Sequence, residues 1–314
     1  MVHYYLTENE QLRELTSHQS GCWVSMVAPN EEELQLISKQ CTLDVDVLRA
    51  ALDTDERSRI DTDEGYSMVL VNIPTVEEQS DKELYSTIPF SIVLVRDTII
   101  TVCSEDSPVI RAFEQGKVRE FNTKMKSRFI LQFLYKIAAL YLQYLRNVDK
   151  KSEEVEAKLH KSTQNRELIE LLKLEKSLVY FTTALRSNET VLEKLLRTEL
   201  IKKYPEDAVL LEDVIVENKQ AIEMANIYSG ILSGMMDAFA SVISNNLNIV
   251  MKVLAIITIV MAIPTMIFSA YGMNVNMSGM PFTQSVWAFP IIIVISVALS
   301  LMAILIISKI KMFK

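Results

Sequence analysis

An uncharged segment near the C-terminus carries groups that could bind a ligand through oxygen atoms. It contains Gly272, Asn274, Asn276 and Gly279, and it separates two long apolar runs. Carboxamide and backbone carbonyl oxygens accept hydrogen bonds and can coordinate cations. The elements that hold this segment determine which ligand it could meet.

The two apolar runs each have the length of a membrane-spanning helix. Residues 249–270 contain a single charge, Lys252, and residues 286–308 contain none. Each run is close to the ~20 residues that cross a hydrocarbon core about 30 Å thick. We therefore predict a first transmembrane helix at 249–271, an outer loop at 272–285, a second transmembrane helix at 286–308 and a basic cytosolic tail at 309–314.

The distribution of charge predicts which ends of the spans face the cytosol. All 40 acidic residues lie at or before Asp237, and only four lysines follow it. Lysines beside a span favour its cytosolic side. The N-terminus lacks the basic and apolar segments of a cleaved signal peptide. We therefore expect a multi-pass protein of the cell membrane with both termini in the cytosol. The four lysines are Lys252, Lys309, Lys311 and Lys314.

The first 120 residues predict a cytosolic α/β domain. Residues 21–27 and 67–73 read as strands, and residues 90–95 and 99–103 read as a hairpin. Helical spacing of apolar residues occurs at 31–40 and 44–52. The three cysteines and three histidines are scattered without zinc-ligand spacing, so we expect buried free thiols.

The following residues predict a long all-α region. Residues 121–204 lack glycine and proline and have the pattern of two amphipathic helices that turn near Thr163, Gln164 and Asn165. Pro205 is suited to the first turn of a new helix. If that helix continues into the membrane, residues 205–248 form its cytosolic stalk. The whole helix then covers roughly 65 residues and about 100 Å.

This long helix carries a polar stripe where a coiled coil would carry apolar residues. Within the first span, Thr258, Thr265 and Ser269 share one face. Polar residues in a span usually face a bundle interior or a water-filled path. Hydroxyls that bond back to their own helix, and small residues that allow tight packing, are the alternative. Two spans cannot enclose a path, so a pore requires a symmetric ring of chains. The stripe consists of Gly230, Gly234, Asp237, Ser241, Ser244, Asn248, Met251, Ala255, Thr258, Ala262, Thr265, Ser269 and Gly272.

The sequence Tyr271-Gly272-Met273-Asn274, placed between two C-terminal spans, resembles the CorA family of magnesium channels. The resemblance implies a funnel-shaped homopentamer whose first span lines the pore and whose filter is Gly272, Met273 and Asn274. Mg²⁺ gives up its water reluctantly. A ring of Asn274 oxygens could instead accept hydrogen bonds from the coordinated waters, while Gly272 lets backbone carbonyls approach. The pore-lining positions expected from the resemblance and the stripe are Asn248, Met251, Leu254, Thr258 and Thr265.

The resemblance also implies a function and its regulation. We expect passive, potential-driven uptake of hydrated Mg²⁺, with Co²⁺ and Ni²⁺ as further candidates. Met251 and Leu254 would form an apolar gate. Mg²⁺ would also be a regulatory ligand, bound between subunits by Asp213 and Asp46. The flanking lysines, Lys252, Lys309, Lys311 and Lys314, would form a basic collar.

Other classes of function find less support in the residues. The sequence has no GxxxxGK[ST] motif, and no nucleophile with a base and an orienting group is visible, so we expect neither an enzyme nor an organic cofactor. Expected partners are other copies of the chain, lipid and divalent cations, but not nucleic acid. Two alternatives stay open: a related Zn²⁺ or Co²⁺ transporter, and a membrane-tethered coiled-coil scaffold.

Overall fold

The computed structural model of this chain describes residues 1–79, 82–159, 165–198, 204–274, 279–282 and 285–309. Contacts divide the chain into two compact units, Met1–Met236 and Asp237–Lys314.

The first unit is built on a mixed sheet, which has seven strands among the described residues. The strands are β1 (Val2–Glu8), β2 (Gln11–Leu15), β3 (Trp23–Val27), β4 (Arg59–Asp63), β5 (Tyr66–Gln79), β6 (Lys82–Val95) and β7 (Thr98–Cys103). They lie in the order β2-β1-β3-β7-β6-β5-β4. β3 and β7 are parallel, with Trp23 opposite Ile99 and Val27 opposite Cys103, whereas the other neighbouring strands are antiparallel.

In the part of the chain that is described, seven α-helices accompany the sheet or extend beyond it. They are α1 (Glu31–Cys41), α2 (Val45–Arg49), α3 (Pro108–Glu114), α4 (Lys126–Leu159), α5 (Asn165–Leu195), α6 (Pro205–Tyr271) and α7 (Ala288–Lys309). A short 3₁₀ helix, Ala50–Leu52, follows α2. α1 begins at a complete capping box, in which Asn30 and Glu33 exchange side-chain to backbone hydrogen bonds.

The two faces of the sheet bury different cores, because alternate residues of a strand point to opposite sides. Val24 and Met26 of β3 belong to the aliphatic core that α1 completes. Trp23 points the other way, and its ring lies 5.5 Å from that of Phe129 and 5.7 Å from that of Phe133, both on α4. α4 therefore shares a core with the sheet.

Several predicted elements are confirmed. β3 lies within the strand predicted at 21–27, β6 and β7 form the predicted hairpin, and α1 covers the helix predicted at 31–40. The helix predicted at 44–52 is α2 followed by the 3₁₀ helix. The cysteines, Cys22, Cys41 and Cys103, are buried free thiols as expected.

Other elements differ from the prediction or were missed. β5 and β6 are each 14 residues long, about twice the predicted length. Each includes a proline, Pro74 or Pro89, and both extend into polar residues where apolar alternation no longer marks a strand. β1, β2, β4 and α3 were not predicted. The predicted turn lies largely outside the described residues, which include Asn165 but not Thr163 or Gln164.

The long C-terminal helices agree with the prediction. α6 is continuous over 67 residues with Pro264 inside it. α6 and α7 are long and apolar enough to cross a membrane, judged by length and composition. The second unit, in its described part, consists of the C-terminal end of α6, α7 and short pieces of the loop between them.

Candidate functional site

α6 and α7 each have one partly buried face in the second unit. On α6, the half-buried residues Ile256, Val260, Ile263 and Ile267 recur every three or four positions, which places them on one side of the helix. On α7, Ser296 is 1% exposed. These residues therefore mark one partly buried side of each helix.

The polar stripe lies on the opposite side of α6. At about 100° per residue, Thr258, Thr265 and Ser269 are roughly 180° around the helix from the half-buried face. All three residues are exposed. The stripe is therefore part of the α6 surface that a single chain leaves open to a neighbouring chain or to water.

The stripe threonines bond back to their own helix. Thr258 Oγ1 donates to the carbonyl oxygen of Leu254, and Thr265 Oγ1 donates to that of Met261, each at 2.8 Å. These bonds use the hydroxyl protons but leave oxygen lone pairs as acceptors. The hydroxyls therefore do bond back to their own helix, which was the alternative to a pore. Their oxygen atoms nevertheless stay available as hydrogen-bond acceptors on the exposed face. A shallow groove follows this face, lined by Ile257, Thr258, Met261, Ala262, Thr265, Met266 and Ser269.

The other expected pore-lining residues are also exposed on α6. Met251 is 57% exposed and Leu254 is 55% exposed, although both are large and apolar. Asn248 is exposed one turn nearer the start of α6. Large apolar side chains open on the same side as the polar stripe fit an apolar constriction, and their role in a ring of chains stays a prediction.

The three candidate filter residues, Gly272, Met273 and Asn274, follow directly from the end of α6. The Gly272 amide still donates to the carbonyl oxygens of Phe268 and Ser269, at 2.9 and 3.2 Å. A Cβ atom at Gly272 would lie 3.3 Å from the Phe268 oxygen, so a side chain there would crowd the last helical turn. Met273 and Asn274 are exposed beyond it. The candidate filter is therefore anchored to the helix that carries the stripe.

The basic collar is described only in part. Lys252 on α6 and Lys309 at the end of α7 are both exposed. Lys311 and Lys314 lie outside the described residues. The collar therefore stays a prediction, which rests on the family resemblance of the sequence.

Asp213, the first candidate regulatory residue, is exposed on α6 in the first unit. It borders a cavity of roughly 340 Å³ that Glu120, Arg128, Lys136 and Glu206 also line. The cavity is lined by acidic and basic side chains. The basic ones, Arg128 and Lys136, were not predicted from the sequence. They lie about 80 residues before Asp213 in the chain, so no local pattern could have placed them beside it.

Asp46, the second candidate regulatory residue, lies on α2 and is 74% exposed. It pairs with Arg49 at 2.5 Å, and the same guanidinium contacts Glu31 at 3.0 Å. Asp46 is not among the residues that line the Asp213 cavity. In the part of the chain that is described, no group of three or more His, Cys, Asp or Glu side chains is placed to hold a metal ion.

The first turn of α6 is tied to the start of α4 by contacts that the sequence did not reveal. Asp207, 1% exposed, accepts a hydrogen bond from Ser127 Oγ at 2.5 Å. Arg128 contacts Glu206 at 2.6 Å and Asp207 at 3.5 Å. The hydrogen bond to Glu206, followed by the charge of Asp207, raises the pKa of Arg128. The N-terminal end of α6 is therefore fixed by a partly buried charge cluster.

Comparison with known proteins identifies the family. Residues 18–309 match the family model described as CorA-like Mg²⁺ transporter protein. The chain belongs to the CorA family. It is thus a divalent cation transporter of that family, which confirms the resemblance seen in the sequence.

Individual relatives agree with this assignment over most of the chain. The cobalt/magnesium transport protein CorA of Methanocaldococcus jannaschii is 28% identical over 286 residues, 88% of this chain and 86% of the relative. That of Thermotoga maritima is 25% identical over 260 residues, 79% of this chain and 71% of the relative. The complete structure of the CorA magnesium transporter from M. jannaschii has a TM-score of 0.83 and 25% identity, and the match covers 99% of this chain and 98% of that one.

Proposed function

We propose that this CorA-family protein is a channel for the passive uptake of hydrated Mg²⁺. The observation that carries the proposal is the polar stripe of α6, which is exposed, lies opposite the half-buried face of that helix and leads to Gly272, Met273 and Asn274. In a ring of five copies, the stripes would line a shared path and α7 would face lipid. The uniform apolarity of α7 suits that position.

The filter is proposed to recognise the water shell of the ion. Mg²⁺ prefers near-octahedral oxygen coordination and dehydrates slowly, so stripping it would be costly. Asn274 carboxamide oxygens from several chains can accept hydrogen bonds from the coordinated waters. Gly272 contributes nearby carbonyl groups because it has no side chain in the way. The coordinated waters would thereby exchange hydrogen bonds to bulk water for hydrogen bonds to fixed oxygen atoms of the protein.

The choice of ion is supported by relatives and by ligand chemistry. Two relatives are named as cobalt/magnesium transport proteins, which favours Mg²⁺ and Co²⁺, and Ni²⁺ forms a similar hydrated ion. No histidine or cysteine occurs after His160. The stripe therefore lacks the imidazole and thiolate groups that bind Zn²⁺ most often in proteins, so Zn²⁺ has no such advantage over the other ions.

The membrane potential is the proposed driving force. A potential of about 100 mV supplies roughly 4 to 5 kcal/mol to a divalent ion that crosses the whole membrane. With both termini in the cytosol, Lys252 and the C-terminal lysines would surround the inner mouth. Inward flux under an inside-negative potential therefore needs no ATP.

Cytosolic Mg²⁺ is proposed to close the channel. Asp213 of one chain and Asp46 of its neighbour would bind the ion and stabilise the closed ring by mass action. Asp46 already pairs with Arg49, so Mg²⁺ has to compete with a guanidinium there. This competition would keep the affinity of the site low, as a sensor of abundant ion requires.

Flux through purified protein in liposomes tests the function. Vesicles that contain a Mg²⁺-sensitive dye receive external Mg²⁺, Co²⁺, Ni²⁺ or Zn²⁺, with and without an inside-negative K⁺ diffusion potential. We expect Mg²⁺ influx that increases with the potential. Absence of flux for all four ions would favour the scaffold alternative, and transport of Zn²⁺ in preference to Mg²⁺ would favour the zinc transporter.

A further inference from the structure

We propose that the Tyr271 hydroxyl is a positioning group for the filter, because it ties the end of α6 to the returning limb of the outer loop. Tyr271 Oη donates a hydrogen bond to the carbonyl oxygen of Pro281 at 3.1 Å. This contact, named here the Tyr271–Pro281 clasp, joins residues ten positions apart. Gly272, Met273 and Asn274 lie between its two ends. The inference rests on the proposed role of these residues as a filter.

The side chain of Tyr271 is placed to support the filter without lining the path. Tyr271 is half-buried and continues the spacing of Val260, Ile263 and Ile267 on the half-buried face of α6. Gly272, the next residue, belongs to the exposed stripe. Neighbouring residues at the helix end therefore have separate tasks, with Gly272 near the path and Tyr271 behind it.

The acceptor end of the clasp lies at a bend in the backbone. Pro281 has a fixed φ angle, and Phe282 after it has a φ of 63°, a left-handed conformation that turns the chain. The Ser285 amide then donates to the Phe282 carbonyl at 3.0 Å. The Pro281 carbonyl thus lies directly before a residue whose conformation turns the chain toward α7.

The same turn leads directly into α7. The Ala288 amide donates to the Ser285 carbonyl at 3.1 Å, and the Trp287 amide donates to Ser285 Oγ at 3.2 Å. These bonds satisfy amides at the start of the helix, which have no intrahelical partner. The clasp therefore closes a chain of hydrogen bonds from the beginning of α7 to the residue before the filter.

Loss of the hydroxyl should loosen the filter while leaving the fold intact. Tyr271→Phe removes one oxygen and keeps the ring that packs on the half-buried face. One neutral hydrogen bond changes an equilibrium by about two- to tenfold. We therefore expect the half-saturating external Mg²⁺ concentration to rise about two- to tenfold, with assembly and melting temperature unchanged.

The test measures initial Mg²⁺ influx against external Mg²⁺ for the full chain in liposomes. Tyr180→Phe is the matched control, because it makes the same chemical change on α5, where the ring faces the Lys176 ammonium. An unchanged half-saturating concentration in Tyr271→Phe would overturn the clasp. So would a lower melting temperature with reduced maximal flux at constant half-saturation, since that result indicates a structural role only.

A third variant separates failure of the clasp from failure of the filter. If Asn274→Ala loses flux while Tyr271→Phe behaves as the parent, the filter stands and the clasp is wrong. If Asn274→Ala conducts Mg²⁺ normally, the filter assignment is wrong, and so is the proposed role of the clasp, which depends on it. A raised half-saturating concentration in Tyr271→Phe, together with loss of flux in Asn274→Ala, supports both.

Discussion

Removal of Asp207 should destabilise the protein far more than removal of its neighbour Glu206. Both carboxylates contact Arg128, but their surroundings differ. The Asp207 side chain is 2% exposed and also accepts the hydrogen bond from Ser127. The Glu206 side chain is 78% exposed. The substitutions Asp207→Ala and Glu206→Ala therefore compare a buried and an exposed acid that share one arginine.

The size of the effect follows from burial. Breaking a buried charge pair costs about 3–5 kcal/mol, because the remaining partners lose a compensating charge. Arg128 is 20% exposed and keeps Glu206, so we expect the lower limit, about 3 kcal/mol, for Asp207→Ala. An exposed ion pair contributes about 1 kcal/mol or less, which is the expectation for Glu206→Ala. The raised pKa of Arg128 owes more to Glu206, yet burial makes Asp207 the costlier loss.

Thermal unfolding of the detergent-solubilised full chain measures the difference. For a domain of 150–250 residues, each kcal/mol shifts the melting temperature by about 2–4 °C. Asp207→Ala should therefore lower it by about 6–12 °C, and Glu206→Ala by no more than about 4 °C. Equal shifts in the two variants would refute the assignment of Asp207 as the buried anchor of α6.

Three further predictions concern the core and the proposed regulation. The Asn188 side-chain amide accepts a hydrogen bond from the Asn72 backbone amide and donates one to the Asn72 backbone carbonyl, both at 2.8 Å. Asn188→Leu removes both bonds, so it should cost about 2–4 kcal/mol of folding free energy and lower the melting temperature. Burial raises the pKa of Glu114, so the folded state disfavours its charged form and loses stability as pH rises above the unfolded value. Glu114→Gln should therefore melt above the parent at about pH 7 but not at about pH 4, and a pH-independent difference would contradict this. Inhibition of Asp213→Asn should require a higher internal Mg²⁺ concentration than inhibition of the parent, and the double variant with Asp46→Asn should require a still higher one. Unchanged inhibition curves in the single and the double variant would place the sensor elsewhere.

The sequence predicts best the features whose pattern repeats over a few neighbouring residues. The apolar run in β3, the spacing in α1 and the two long apolar runs near the C-terminus each specify an element from neighbouring residues alone. The polar stripe was visible for the same reason, since its members recur every three or four positions. Gly272, Met273 and Asn274 are filter candidates through their resemblance to the CorA motif between two spans, and their role stays a prediction.

The features that the sequence could not predict depend on residues far apart in the chain. Ser127 and Arg128 meet Asp207 across about 80 residues, and no local pattern records that meeting. The polar ends of β5 and β6 are strands only because each pairs with the other along its whole length. The Tyr271–Pro281 contact required the path of the outer loop.

Mg²⁺ flux through Asn274→Ala in liposomes, compared with the parent, tests whether the Asn274 carboxamide is part of the filter. Asn246→Ala is the control, because it removes the same amide from an exposed position of α6 that lies off the polar stripe. If Asn274 contacts the hydrated ion, Asn274→Ala should abolish Mg²⁺ uptake while assembly stays intact, and Asn246→Ala should conduct like the parent. Near-normal Mg²⁺ uptake by correctly assembled Asn274→Ala protein would contradict the account of the filter.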